Sequence, residues 1–277
     1  IITVLYTAFF APLISFLEAF TMDTLQSRKA AYGKVRVWGS IGFITVVILM
    51  GRLIDHFPIR LILVLIFCGS LLQALSSLRV PRLDTERRFS SETRSFLQPR
   101  IIVFLTCGFL MLVSHGAYYG FFSIHLENLG YSRTFIGFSW ALASAAEILV
   151  MIRSEALFRK FSLERVLLFS FAVAALRWLL LYSFSQAAAI LLIQTLHAAT
   201  YGLFHMASIL YIDRQSPDRA KTLGQAINNS VQYGFGLMVG FFMSGFLYER
   251  IGSAALFLVS GAIALATVLV TLFLYIE

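Results

Sequence analysis

The sequence predicts an all-α integral membrane protein, and three observations carry that prediction. The 277 residues are 59% hydrophobic and only 13% charged, about half the charged share of a soluble domain, which runs near 25%. Mean hydropathy is +0.83. The apolar residues gather in runs of about 20, the length a helix needs to cross the hydrocarbon of a bilayer. Lipid, rather than water, is then the solvent for most of the chain, and backbone polar groups must be satisfied within it.

Nine such segments can be drawn, at about 2–23, 35–55, 59–78, 101–125, 133–153, 164–184, 187–211, 222–248 and 253–275. Gly33, Pro58, Pro81, Pro99, Gly130, Pro217 and Gly252 fall in the breaks, as turn residues should. Alternate breaks differ sharply in charge. One set holds Arg28, Lys29 and Lys34, then six arginines between Arg79 and Arg100, then Arg153, Arg159, Lys160 and Arg165, then Arg214, Arg219 and Lys221. The other set holds Arg60, Arg133 and Arg250. Basic loops stay in the cytoplasm, so the chain is expected to start outside and to end with a cytoplasmic C-terminus, in a plasma or bacterial inner membrane. The formal charge of +8 belongs to these loops and to anionic lipid, which argues against a nucleic-acid partner. Cys68 and Cys107 both lie inside apolar runs, where packing is expected rather than a disulfide.

The chain opens inside an apolar segment, with no initiator Met and no charged stretch before it. It reads as an internal start rather than a signal peptide. Nine spans that begin outside would become twelve with three more upstream, the count of the major facilitator fold with its nested three-helix repeats. Residues 1–78 would then be the second repeat of the N-terminal half, 79–100 the cytoplasmic central loop, and 101–277 the six-helix C-terminal half. A chain without the first three helices is expected to be inactive.

Charges at membrane depth are costly and mark function. Glu147 and Arg177 are equally distant from Ser162, in the loop that joins their segments. About 15 residues at 1.5 Å rise puts both roughly 20 Å from that loop. Arg177 and His197 straddle the next turn about Ala187 in the same way. All three are thus expected at one level near mid-membrane, as a polar site or as a structural ion pair with a histidine beside it. Glu18 and Arg36 repeat the arrangement about Ser27, nearer the basic loops. His115, Tyr118 and Tyr119 lie on the fourth segment, and His205 lies two turns from His197 on roughly one face. Gly236-x-x-x-Gly240 is a small-residue motif for close helix contact. No His, Cys and carboxylate set has chelate spacing at depth, so no metal is expected. A phosphate-binding Walker loop and a nucleophile elbow are both missing, so neither an ATP motor, an enzyme nor a cofactor is expected.

Several segments resemble one family. Tyr32-Gly-Lys-Val-Arg36-Val-Trp38-Gly-Ser-Ile-Gly-Phe43, His115-Gly-Ala-Tyr-Tyr-Gly-Phe121, Leu129-Gly-Tyr-Ser-Arg-Thr-Phe-Ile-Gly137, Leu176-Arg177-Trp178, Leu196-His197 and Gly245-Phe-Leu-Tyr248 are similar to the 3-phenylpropionate permease group. That group lies close to the lactose permease branch of the major facilitator superfamily. The resemblance implies substrate binding by Glu18 and Arg36, and substrate and proton roles for Glu147, Arg177 and His197. Two positions depart from the pattern. Gln194 stands where that branch has a Lys, and Thr200 where it has a proton-carrying Glu. Glu147, or His197 with an imidazole that ordinarily titrates near neutrality, would take over the proton.

The expected function is proton-coupled symport of a small organic solute by alternating access, with the solute an aromatic carboxylate, a nucleoside or a sugar. Arg36 or Arg177 would pair with a substrate carboxylate, and Trp38, Tyr118 and Tyr119 would pack against a ring. The partners are the solute, the proton and the lipid, and the protein is expected to be a monomer. A receptor or sensor that kept the fold without transport is the alternative.

Overall fold

The computed structural model describes residues 32–58, 60–80, 96–217 and 220–275, together with Leu13, Leu17, Phe20, Thr21, Thr24 and Leu25. Helices fill nearly all of this. They are α1 Tyr32–His56, α2 Leu61–Ser77, α3 Pro99–Asn128, α4 Arg133–Lys160, α5 Leu163–Ser183, α6 Ala187–Gln215, α7 221–251 and α8 253–275. Six stretches are long and apolar enough to cross a membrane, and the last of them, Leu223–Leu272, runs through both α7 and α8. The expected span 2–23 lies almost wholly outside the described residues, and Glu18 with it.

Local chemistry sets the boundaries. Pro99 opens α3, where its missing N–H costs nothing. Ser132 and Ser162 cap α4 and α5, each accepting a backbone N–H three residues on, from Phe135 at 3.2 Å and Arg165 at 3.3 Å. Gly130 ends the α3 turn at φ +85°, and Gly252 at φ 73° and ψ 172° separates α7 from α8. Only a residue without a Cβ takes such angles readily.

Two packings position the rest. α3 lies against α7 through glycine: a Cβ on Gly116 would fall 2.3 Å from the Gly240 carbonyl carbon, and one on Gly236 would fall 3.0 Å from the Phe109 carbonyl oxygen. The Gly236-x-x-x-Gly240 motif thus brings two backbones together, the expected use. α1 runs antiparallel along α4. At one end Gly33 meets the Met151 carbonyl oxygen, and at the other Gly137 meets the Val47 carbonyl oxygen. The main core, including Phe104, Phe122, Phe171, Trp178, Phe204 and Phe257, sits among α3, α5, α6 and α8. Cys107 is buried against Thr271, with 3.4 Å between sulfur and hydroxyl, while Cys68 is exposed. Large apolar side chains on α1 and α2 are widely exposed, among them Leu63, Phe67 and Leu72, as a lipid-facing surface allows.

Candidate functional site

Glu147 on α4, Arg177 on α5 and His197 on α6 are buried together. Arg177 Nη1 lies 2.8 Å from His197 Nδ1, and His197 Nε2 lies 3.0 Å from Glu147 Oε1. A guanidinium has donors and no acceptor. His197 Nδ1 must therefore accept from Arg177, which leaves the ring hydrogen on Nε2 to be donated to Glu147. The imidazole is thus fixed as one neutral tautomer, a hydrogen-bonded bridge between a cation and a carboxylate that do not touch.

Both terminal nitrogens of Arg177 are engaged. Its Nη1 also donates to Thr200 Oγ1 at 3.0 Å, and its Nη2 donates to Gln194 Oε1 at 2.8 Å. Tyr118 donates its hydroxyl to the same Gln194 oxygen at 2.9 Å. The guanidinium carbon lies 4.2 Å from the centre of the Tyr118 ring and 4.8 Å from that of Trp178, an arrangement suited to cation–π attraction in a desolvated place. Trp178 in turn donates its indole N–H to Ser114 Oγ at 3.2 Å, and His115 stands edge-on to the indole at 4.8 Å. Sequence reasoning treated Gln194 and Thr200 as losses of charge. In the structure both are neutral acceptors that hold Arg177. Tyr119 is stacked parallel to Trp140, with centroids 6.2 Å apart.

Arg36 belongs to a second, open region of the site. It lines a cavity of about 420 Å³ with Leu17, Thr21, Tyr32, Val35, Gly39, Tyr201, His205 and Tyr233. A Cβ on Gly39 would fall 2.5 Å from Arg36 Nη1, so a glycine one turn on gives the guanidinium its room. Arg36 is within hydrogen-bonding reach of the Tyr201 side chain, and its field, like that of Arg177, reaches Glu147. His205 Nδ1 is 2.7 Å from the Tyr233 hydroxyl, and His205 Nε2 is 3.3 Å from that of Tyr32. Trp38 is 73% exposed and does not join the lining, so its ring is not brought to Arg36. Tyr32, Tyr201, His205 and Tyr233 were not picked out from the sequence as cavity residues. The i, i+4, i+8 run of His197, Tyr201 and His205 is the signal that could have found two of them.

The family model described as the MFS_1 like family matches residues 1–259. The chain is 29% identical to the "Probable 3-phenylpropionic acid transporter" of Escherichia coli strain K12, over 89% of this chain and 66% of that protein. It is 25% identical to the "Maltose permease" of Geobacillus stearothermophilus, over 99% of this chain and 71% of that one. It is 23% identical to the "Uncharacterized transporter YwbF" of Bacillus subtilis strain 168, over 99% and 70%. The chain thus spans about two thirds of the length of these curated relatives.

Proposed function

The chain belongs to the MFS_1 like family of membrane transporters, and from that premise we propose that it works as a proton-coupled symporter of a small aromatic carboxylate by alternating access. The observation that carries this reading is the pairing of a closed ionic network, Glu147–His197–Arg177, with an open cavity that holds a second guanidinium, Arg36.

Chemistry assigns the two regions. In the cavity, Arg36 supplies a fork of N–H donors matched to a carboxylate. Tyr32, Tyr201, Tyr233 and His205 supply ring surface and hydroxyls around it, which favours a flat aromatic body over a flexible chain. Arg36 gives this lining a cation, which favours an acid over a sugar. The maltose relative keeps sugars in the test panel, and nucleosides join it. Glu18, by its family register, would complete the binding wall. Tyr118 and Tyr119 pack beside the His197 ring, with centroids 5.3 and 6.3 Å away, while Arg177 keeps His197 in its bridging tautomer. Glu147 is the group that loads and unloads the proton, taking it on the oxygen that His197 now holds. The halves then rock about this level, as major facilitator transporters do. The basic loops face the cytoplasm of a cell membrane, and the full protein carries the twelve-helix fold as a monomer.

The test uses the full-length protein in proteoliposomes with labelled 3-phenylpropionate, maltose and a nucleoside. An imposed proton gradient should drive accumulation of the acid and of neither other solute. Glu147→Gln should abolish accumulation but spare downhill exchange, because its amide oxygen still accepts from His197. Accumulation that persists unchanged in Glu147→Gln refutes the proton role. Tight binding without flux in the wild type would favour a receptor or sensor instead.

A further inference from the structure

Tyr201 lies between the two regions of the site, and its geometry is unusual for a helix. In an α-helix, residues four apart are offset by about 40° around the axis, so residues eight apart diverge by about 80°. His197, Tyr201 and His205 do not diverge. The His197 and Tyr201 rings are 5.3 Å apart and 12° from parallel, and the Tyr201 and His205 rings are 5.5 Å apart and 5° from parallel. Both spacings are close to the roughly 5.4 Å pitch of a helix, so the rings stand in one straight column. The cause is the π turn over Ala198–Leu203. It admits one extra residue to the turn, and so cancels the drift.

This column joins the two regions of the site. One face of the Tyr201 ring packs on His197, the bridge of the buried network, and the other packs on His205. Tyr201 also lines the Arg36 cavity, with its side chain in hydrogen-bonding reach of Arg36, and Tyr233 stands edge-on to it at 6.3 Å and 84°. We propose that Tyr201 is a positioning residue that couples occupancy of the Arg36 cavity to the Glu147–His197–Arg177 network, an inference that rests on the transport function proposed above.

A carboxylate drawn to Arg36 meets the Tyr201 hydroxyl as well and pulls on it. With an imidazole on each face, the ring cannot tilt without moving His197. The His197 contacts, at 2.8 and 3.0 Å, sit near the optimum for hydrogen bonds and weaken steeply on misalignment. A small turn of the ring therefore loosens the hold of His197 on Glu147. Glu147 then exchanges its proton only when the cavity is filled, which is the condition for tight coupling.

The experiment compares Tyr201→Phe and Tyr201→Leu with wild type in full-length protein, reconstituted and assayed with labelled 3-phenylpropionate. Two modes are measured across a range of pH: exchange without a gradient, and accumulation against one. Tyr201→Phe keeps the ring and loses the hydroxyl. Its KM should rise while its ratio of accumulation to exchange stays that of wild type. Tyr201→Leu loses the column. Its ratio should fall about tenfold, within the range of ordinary coupling factors, and its exchange should take on a pH profile unlike that of wild type. ¹⁵N spectra of histidine-labelled protein should show the His197 pair of nitrogens shifted in Tyr201→Leu and not in Tyr201→Phe. If Tyr201→Leu lowers both modes in the same ratio, with the wild-type pH profile, Tyr201 is a packing residue and the inference is wrong. A wild type that moves no acid in either mode refutes the transport reading itself, and this inference with it.

Discussion

The buried network makes a quantitative prediction about charge. Glu147 and Arg177 do not touch, yet each is the compensating charge for the other through His197. Removing one member of a buried pair costs about 3–5 kcal/mol, because the partner charge is stranded. Glu147→Gln should lie at the low end, near 3 kcal/mol, since the amide oxygen still accepts from His197. Arg177→Gln should lie near 5 kcal/mol, because it also strands the acceptors His197, Thr200 and Gln194. At about 2 °C per kcal/mol for a chain of this size, the apparent Tm should drop by about 6 and 10 °C. The double variant removes both charges together. It should cost about 3–5 kcal/mol rather than the roughly 8 expected of independent sites, a coupling of the size found for residues in one network. Thermal melts of the purified protein in nanodiscs, followed by Trp fluorescence, measure this. Additive losses would refute the view that the two charges are paired through the imidazole.

Other substitutions separate neighbouring roles. Tyr118→Phe removes the hydroxyl that serves Gln194 but keeps the ring under Arg177, and should cost about 1 kcal/mol in the same melts. Tyr118→Ala removes both and should cost about 3–5 kcal/mol. Gly116→Ala sets a methyl group against the Gly240 backbone and should destabilise by at least about 1–3 kcal/mol. Gly245→Ala meets nothing within 4 Å and should be neutral or slightly stabilising by the same measure. Arg36→Gln should weaken binding of 3-phenylpropionate at least about tenfold in equilibrium dialysis, because the charged donors for the carboxylate are lost.

The six long helical stretches were legible because apolar runs of bilayer length have few alternatives, and their ends carry Pro, Gly and capping Ser. The meeting of Glu147, Arg177 and His197 was legible too. Residues placed symmetrically about a tight turn reach the same height on neighbouring helices, so counting outward from Ser162 and Ala187 is enough. The place of Trp38 was not legible. α1 is apolar nearly all round, and a helix without a polar face gives periodicity nothing to read. The π turns were hidden for a different reason. Ala198–Leu203 and Ser230–Gly236 carry Gly202, Gly234 and Gly236, but glycine in a membrane helix reads as close packing, and one extra residue in a turn leaves no mark on hydropathy. The straight column of His197, Tyr201 and His205 depends on that hidden residue. Gln194 and Thr200 were misread because a missing charge looks like a missing role, until the cation they serve is seen beside them.

The turns that join α3 to α4, α5 to α6 and α7 to α8 are all brief. They span 129–132, 184–186 and the single residue Gly252, and all three lie on the face opposite the basic loops. Helices tied this closely behave as three stiff hairpins whose arms cannot slide past one another by a full turn. Tied also through His197 between α4 and α5, the hairpins would move as one unit in the rocking proposed above. The mouth on that face would then open between these six helices and α1, which share the Arg36 cavity, rather than inside any one hairpin.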